Sequence, residues 1–395
     1  MGNALESAAG GDERLGIAAT VNWERLRELA GFRTEKGCAI SFYLGLDPSV
    51  TPTIGDAATR VHSLLAEGEK SGGANRGEHT HDQRQGLKAD FNRIRAFVEE
   101  EFNRDGARGL ALFVAGLDNL WRPLALAYPV PDQIRVGGDF YLAPLVPLVG
   151  KGEGALVAVV SREQGQLYGL AEGRLHEIED LFEEQPGRHD QGGRSQARFQ
   201  RHIDSLAAEH MRTVAESLNR QVRARREPVV IVCAEAMRGE FGELLAQETR
   251  SLLAGWTQAE AHARPADLLE LATPLLEQWQ TTRADATLDR WREEAGRRGR
   301  AASGWETTLE AASDGRVELL VFQESADRQA WQCPACGRAA VAAGNCPLDG
   351  TRMEPHDAAI DVAVHQTLAH GGTVLALGDR RDLDPVEGIG ALLRY

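Results

Sequence analysis

Apolar positions along this chain alternate between two periods. Residues 22–32 carry leucines at helical spacing, with Asn22 placed as the N-cap and Gly31 near the end. Residues 37–44 are a continuous apolar run that stops before Asp47-Pro48, which predicts a strand. Leu87, Phe91, Ile94, Phe97 and Val98 predict an amphipathic helix over 87–102, and residues 109–115 a second strand. The intervening stretch 68–85 is polar and rich in glycine and histidine, and is expected to be a mobile loop.

A second block follows the glycine-rich linker 150–154. Residues 155–161 and 166–171 flank a Gln-Gly turn and predict a hairpin, with a further strand at 174–178. A long helix is expected from about Ser195 to Arg225. Residues 228–234 then read as a buried parallel strand. Helices are expected at 239–255, 266–298 and 305–312, and a strand at 317–323 closes this block. The last block holds a cysteine cluster, a helix at 358–369, a strand at 372–377 and a glycine-led turn at Gly388 before the final strand.

Strands alternating with helices imply α/β layers with mixed sheets. The expected organisation is a tail over 1–16, an N-terminal α/β domain over 17–150 and a middle domain over 151–323. A C-terminal α/β domain over 324–395 carries a small ribbon-like insertion.

Composition narrows the function. The 395 residues carry a net charge of -15, which argues against a general nucleic-acid coat protein. A local basic patch can still bind RNA. Residues 188–226 hold nine arginines (188, 194, 198, 201, 212, 220, 223, 225 and 226) against Asp190, Asp204, Glu209 and Glu216. The plain alternative is a solvated arginine-rich helix. No stretch approaches the roughly 20 apolar residues needed to span a bilayer. The start of the chain is small, polar and acidic and lacks a signal-like apolar core, so a cytoplasmic location is expected. Five cysteines do not make a disulfide framework in a chain this long. Cys38 and Cys233 sit in apolar runs, as buried thiols do.

Two clusters carry candidate chemistry. Cys333-Pro-Ala-Cys336-Gly337 has the form of a metal knuckle, and Cys346-Pro-Leu-Asp349-Gly350 repeats it with aspartate in the fourth place. The spacing suits a closed, structural tetrahedral zinc site. Asp349 and His356 are both candidates for the fourth ligand, and the rival reading is a ribbon that folds without metal. The second cluster is Arg188 to His202. Here Gly192 and Gly193 free the backbone for a close approach, and Gln196 opens an arginine-rich helix. Ser195 could also serve simply as that helix's N-cap.

This loop, with Ser195, Ala197, Arg198, Phe199 and Arg201 behind it, resembles the Gly-Gly-Gln tip of the archaeo-eukaryotic class-1 release factor and Pelota superfamily. The three-block order and the Gly388-to-Tyr395 ending are similar as well. The family's codon-reading Asn-Ile-Lys-Ser tetrapeptide is missing from 67–85, which points to its bacterial branch and to codon-independent action. Arg194 stands where the family has its glutamine, and Gln196 lies two positions later.

The resemblance implies a factor that occupies the ribosomal A site and contacts rRNA and the acceptor end of the P-site tRNA. A translational GTPase is an implied partner. Gly192, Gly193 and Gln196 would orient a water at the peptidyl ester, a task of positioning and oxyanion stabilisation that needs no triad. Arg188, Arg194, Ser195, Arg198 and Arg201 would hold phosphates. The expected activity is ribosome rescue by peptidyl-tRNA hydrolysis. The alternatives are a non-catalytic hibernation factor in the vacant A site and a tRNA-cleaving RNase.

Overall fold

The computed structural model describes residues 21–395 apart from 75–79, 105, 150, 152–153, 172, 182–195, 261, 298 and 379. One compact unit combines the chain up to Val149 with Arg300–Tyr395, and the other spans Gly150–Gly299.

In the first unit, four antiparallel strands lie in the order Leu120–Leu126, Gly109–Ala115, Ala39–Gly45, Gln133–Gly137. The central Ala39–Gly45 strand is buried along nearly its whole length and mostly apolar because both its faces are covered, with Ser41 accepting the Tyr141 N–H at 2.9 Å. Ile40, Phe42 and Leu44 pack with Val61, Leu65 and Ile94 from the flanking helices. Ala39 and Tyr43, one residue out of phase, share a core with Phe140, Ile360 and Val364.

The expected loop at 68–85 is corrected. A helix runs over Ile54–Ala74, and the next begins at His81. Thr80 caps it in a reciprocal capping box with Gln83. The polar, glycine-bearing composition hid both ends of these helices; the 75–79 part lies outside the described residues. The strands at Leu120–Leu126 and Gln133–Gly137 had no expectation in the sequence. Pro123 is tolerated because its strand is at the edge of the sheet.

A second sheet in this unit orders Ala301–Ser303, Ile389–Leu393, Val317–Phe322, Thr373–Ala376. This moves one element. The sequence assigned the 317–323 strand to the middle block, but it pairs antiparallel with Ile389–Leu393 and parallel with Thr373–Ala376. An apolar run states that a strand is buried, not which strand it joins. The turn before the last strand is confirmed, with Glu387 and Gly388 both in the left-handed region.

The second unit is three-layered. Its sheet orders Arg174–Asp180, Gly165–Ala171, Ala155–Val160, Val229–Cys233, Leu253–Thr257, with the last three strands parallel. The expected hairpin, third strand and parallel strand are all present. The helix expected through 255 instead ends at Ser251, and Leu253–Thr257 becomes an edge strand. One sheet face, with Leu156, Ala158 and Val160, packs on the Gln196–Arg225 helix. The other, with Ala155 and Val157, packs with Leu268, Ala272 and Leu276 of the Pro265–Gly296 helix. Among the described residues no helix is long and apolar enough to cross a membrane.

Candidate functional site

The cysteine cluster is assembled by two copies of one backbone device. In the first knuckle the Cys333 N–H donates to Arg338 O at 2.8 Å, and the Gly337 N–H to Cys333 O at 2.8 Å. In the second, the Cys346 N–H donates to Thr351 O at 2.7 Å and the Gly350 N–H to Cys346 O at 2.9 Å. The offsets along the chain are identical. Gly337 (φ 79°) and Gly350 (φ 74°) hold the left-handed positions that close each turn and that a side chain would strain. Asp349 therefore occupies the same place in its turn as Cys336 does in the first.

The donor atoms of Cys333, Cys336, Cys346 and Asp349 all lie within 4.8 Å of one another. Cys336 Sγ and Cys346 Sγ are 3.5 Å apart, and Cys333 Sγ is 3.5 Å from Asp349 Oδ2. Tetrahedral zinc would set sulfur–sulfur separations near about 3.8 Å and sulfur–oxygen separations near about 3.5 Å, from ordinary bond lengths. The separations given thus fit a volume of the right size. Cys333 and Cys346 are buried and Cys336 is exposed.

The charges suit a cation. Burial raises the Cys333 thiol, but the N–H groups of Cys336 and Ala335 and the neighbouring thiols more than offset it, leaving it below the usual range. The Thr351 N–H, 2.9 Å from Oδ1, is the largest influence holding Asp349 near about 2. The Arg338 N–H lowers Cys336, yet burial and the thiols of Cys346 and Cys333 carry it to about 11. Three thiols this close cannot all ionise without a cation among them.

The ribbon is fixed to its surroundings. Strands Ala339–Ala340, Ala330–Gln332 and Glu354–His356 form its small sheet. The Ala339 N–H donates to Ser313 Oγ at 3.0 Å, and Gln366 Nε2 donates to Gly337 O at 2.9 Å. Arg338 pairs with Asp314 at 2.5 Å.

His356, the other candidate for the fourth ligand, is not in this cluster. Its ring lies against Ala358, with Nδ1 3.1 Å from the Ala358 carbonyl, and groups with Asp139 and Asp361. Asp361 and His365 stand one turn apart on the otherwise apolar Ala359–Ala369 helix, and both are buried. Asp361 accepts the Leu142 N–H at 2.8 Å, and His365 Nε2 meets the Phe140 carbonyl. The sequence reading passed over this group. The available signal was an aspartate and a histidine at i, i+4 inside an apolar helix.

Arg188, Gly192, Gly193, Arg194 and Ser195 lie outside the described residues. Gln196 is the first residue of the helix, which also carries Arg198 and Arg201; the side chains of these three lie outside the described set too. What is described is the support. The helix has 30 residues, about 45 Å of rigid rod. Met211, Val214, Ala215, Leu218 and Val222 bury its inner face. Asn219, itself buried, accepts the Ala246 N–H at 3.0 Å and the Thr249 hydroxyl at 2.6 Å, tying the helix to the 247–251 turn. Arg212, Arg220 and Arg223 are exposed on its outer side, and Arg225, also exposed, reaches toward Gly169 of the sheet. Arg220 pairs loosely with Glu179 at 3.7 Å.

Comparison with known proteins places this segment. Residues 141–277 match the model of bacterial archaeo-eukaryotic release factor family 10. Peptide chain release factor subunit 1 of Methanobrevibacter smithii is 24% identical over 265 residues, covering 62% of this chain and 63% of that protein. The same factor from Archaeoglobus fulgidus is 26% identical over 221 residues, 53% of this chain and 54% of its own. The chain therefore spans between half and two-thirds of the length of these relatives. Among solved structures, an archaeal translation termination factor aligns over 95% of this chain and 99% of its own, with 15% identity and a TM-score of 0.25. Archaeoglobus fulgidus Pelota aligns over 96% and 93%, with 12% identity and a TM-score of 0.33. Over the loop-bearing unit the chain is thus similar to bacterial archaeo-eukaryotic release factor family 10, and more widely to archaeal release factors.

Proposed function

We propose that this protein is a codon-independent translation factor that enters the ribosomal A site and presents the 188–202 loop to the acceptor end of the P-site tRNA. The observation that carries this is the junction at Gln196. The glycine pair stands just before a helix whose described part is anchored in the core from Met211 to Val222. The family match spans the same stretch, 141–277. Exposed Arg212, Arg220 and Arg223 extend a cationic face suited to rRNA phosphates despite the net charge of -15. In this reading Gly192 and Gly193 shape the backbone, Gln196 orients water at the peptidyl ester, and Arg188, Arg194, Ser195, Arg198 and Arg201 contact RNA. A translational GTPase is the proposed delivery partner.

The test is release of labelled peptide from stalled ribosome–peptidyl-tRNA complexes, measured with co-sedimentation, for the wild type and Gln196→Ala. Release that falls at least tenfold in the variant supports a rescue hydrolase. Unchanged release refutes the role of Gln196. A second reading, occupancy of idle ribosomes without hydrolysis, is favoured by Arg194 in the family's glutamine position. Tight binding to vacant ribosomes with no release selects it. Cleavage of free tRNA without ribosomes would select an RNase instead.

We propose zinc as the ion of the cysteine cluster. Three soft thiolates and one carboxylate at tetrahedral spacing suit it, and the knuckle N–H groups already bias the Cys333 sulfur toward its anionic form. Its role is structural, closing a ribbon too small to fold on apolar burial alone.

A further inference from the structure

We propose a second cation site in the first unit: Asp139, His356 and Asp361 bind a divalent first-row transition ion, independently of the cysteine ribbon. The donor atoms of the three residues all lie within 4.8 Å of one another. They come from separate segments. Asp139 follows the Gln133–Gly137 strand, His356 ends the Glu354–His356 strand, and Asp361 lies in the first turn of the Ala359–Ala369 helix.

The surroundings are arranged as they are around metal ligands. A ligating histidine generally donates its second ring N–H to a carbonyl or carboxylate, which fixes the tautomer and leaves the other nitrogen free to coordinate. His356 Nδ1 lies 3.1 Å from the Ala358 carbonyl and 3.3 Å from the Ala358 nitrogen, so the Ala358 backbone holds the ring's orientation whichever ring nitrogen carries the proton. A ligating carboxylate is itself hydrogen-bonded, and Asp361 accepts the Leu142 N–H at 2.8 Å. Asp139 makes no hydrogen bond among the described residues and keeps its lone pairs available.

Charge points the same way. Asp361 is 3% exposed and shares its site with the second carboxylate. His365 is the compensating group in direct reach, 3.8 Å from Asp361. His365 Nε2 is also held at the Phe140 carbonyl. Two carboxylates this close repel one another, and a divalent ion between them would offset that repulsion. Imidazole with two carboxylates is a borderline donor set that takes Zn²⁺, Co²⁺ or Mn²⁺ in preference to the hard, all-oxygen sites of Ca²⁺. Three protein ligands leave a coordination position for water. Residues 139 and 361 are far apart in the chain, so the ion would act as a staple between distant segments.

The test uses the untagged full-length chain, with Zn²⁺ and Co²⁺ as probes. Native mass spectrometry and metal analysis should find two ions per chain. His356→Ala and, separately, Asp139→Asn should remove one and weaken the remaining titration for that site by at least about 100-fold, since losing a group that merely hydrogen-bonds a ligand already costs about 10–100-fold. Both residues are only half-buried, so these variants should fold, and circular dichroism checks this. Cys333→Ser with Cys346→Ser should remove the other ion and leave this one. The Co²⁺ form separates the sites, because the ribbon gives thiolate charge-transfer bands and the Asp-His-Asp site gives none. If the wild type binds only an ion that the cysteine variants abolish, or if His356→Ala and Asp139→Asn leave two ions in place, the second site does not exist. Loss of the cysteine-bound ion alone would count against the ribbon and leave this proposal standing.

Discussion

The loop-bearing helix depends on one missing methyl group. Gly165 opens the Gly165–Ala171 strand beneath Val214, which is fully buried in the middle of the Gln196–Arg225 helix. A Cβ built on Gly165 would lie 2.2 Å from Val214 Cγ2. Carbon atoms rest at about 3.5–4.0 Å, so Gly165→Ala must displace the helix or the strand by roughly 1.3 Å. Overpacking of this kind costs about 1–3 kcal/mol, and a clash this deep in a rigid layer belongs at the upper end. Val214→Ala alone opens a cavity and costs about 1–3 kcal/mol. Together the two changes should partly cancel, because the methyl added at residue 165 enters space vacated at residue 214. The expected coupling is about 1–3 kcal/mol in favour of the double variant over the sum. Urea unfolding followed by tryptophan fluorescence reads the midpoints. Hydrogen exchange at the Val229–Cys233 strand assigns the change to the second unit, since a two-unit chain need not unfold in one step. A Gly165→Ala midpoint within error of wild type, or strict additivity, would refute the packing argument.

Other consequences are open to measurement. Asn219→Ala removes the acceptor shared by the Ala246 N–H and the buried Thr249 hydroxyl, and should cost about 2–3 kcal/mol in urea denaturation of the second unit. A loss below about 0.5 kcal/mol would mean that water replaces it. Asp90 is buried, and burial raises its carboxyl against the pull of the Gly116 N–H and Arg93. Its stabilising contribution is therefore complete below about pH 4, its unfolded value, and is lost as pH rises through the folded value. Asp90→Asn should raise the melting temperature at pH 7 more than at pH 4, and an equal shift at both would contradict this. Chelation should release the proposed zinc from the ribbon and expose the otherwise buried Cys333 and Cys346 to thiol reagents, and Cys346→Ser should show the same reactivity at Cys333 without chelator. Thiol labelling that ignores metal content would argue for a ribbon that folds by packing alone.

Local chemistry by itself determined most elements and half of the site. The helix at 23–30 follows from Asn22, whose side chain accepts the Arg25 N–H at 2.8 Å as the cap pattern predicts. The strands at 39–45 and 229–233 are legible because runs buried on both faces are dominated by apolar residues. The knuckles are legible because chelation needs two donors on one tight turn, and that spacing is written in consecutive residues. The tertiary structure decided what depends on partners distant in the chain. Strand Val317–Phe322 joins residues 373–376 and 389–393, a choice that its own side chains do not encode. Between Asp349 and His356 as fourth ligand, residue type was neutral. The matching turns at Gly337 and Gly350 carry Asp349 to the thiols, while the Glu354–His356 strand carries His356 to Asp139 and Asp361. That second cluster was invisible in the sequence for the same reason. Asp139 lies over two hundred residues from His356 and Asp361, so only folding brings the three together.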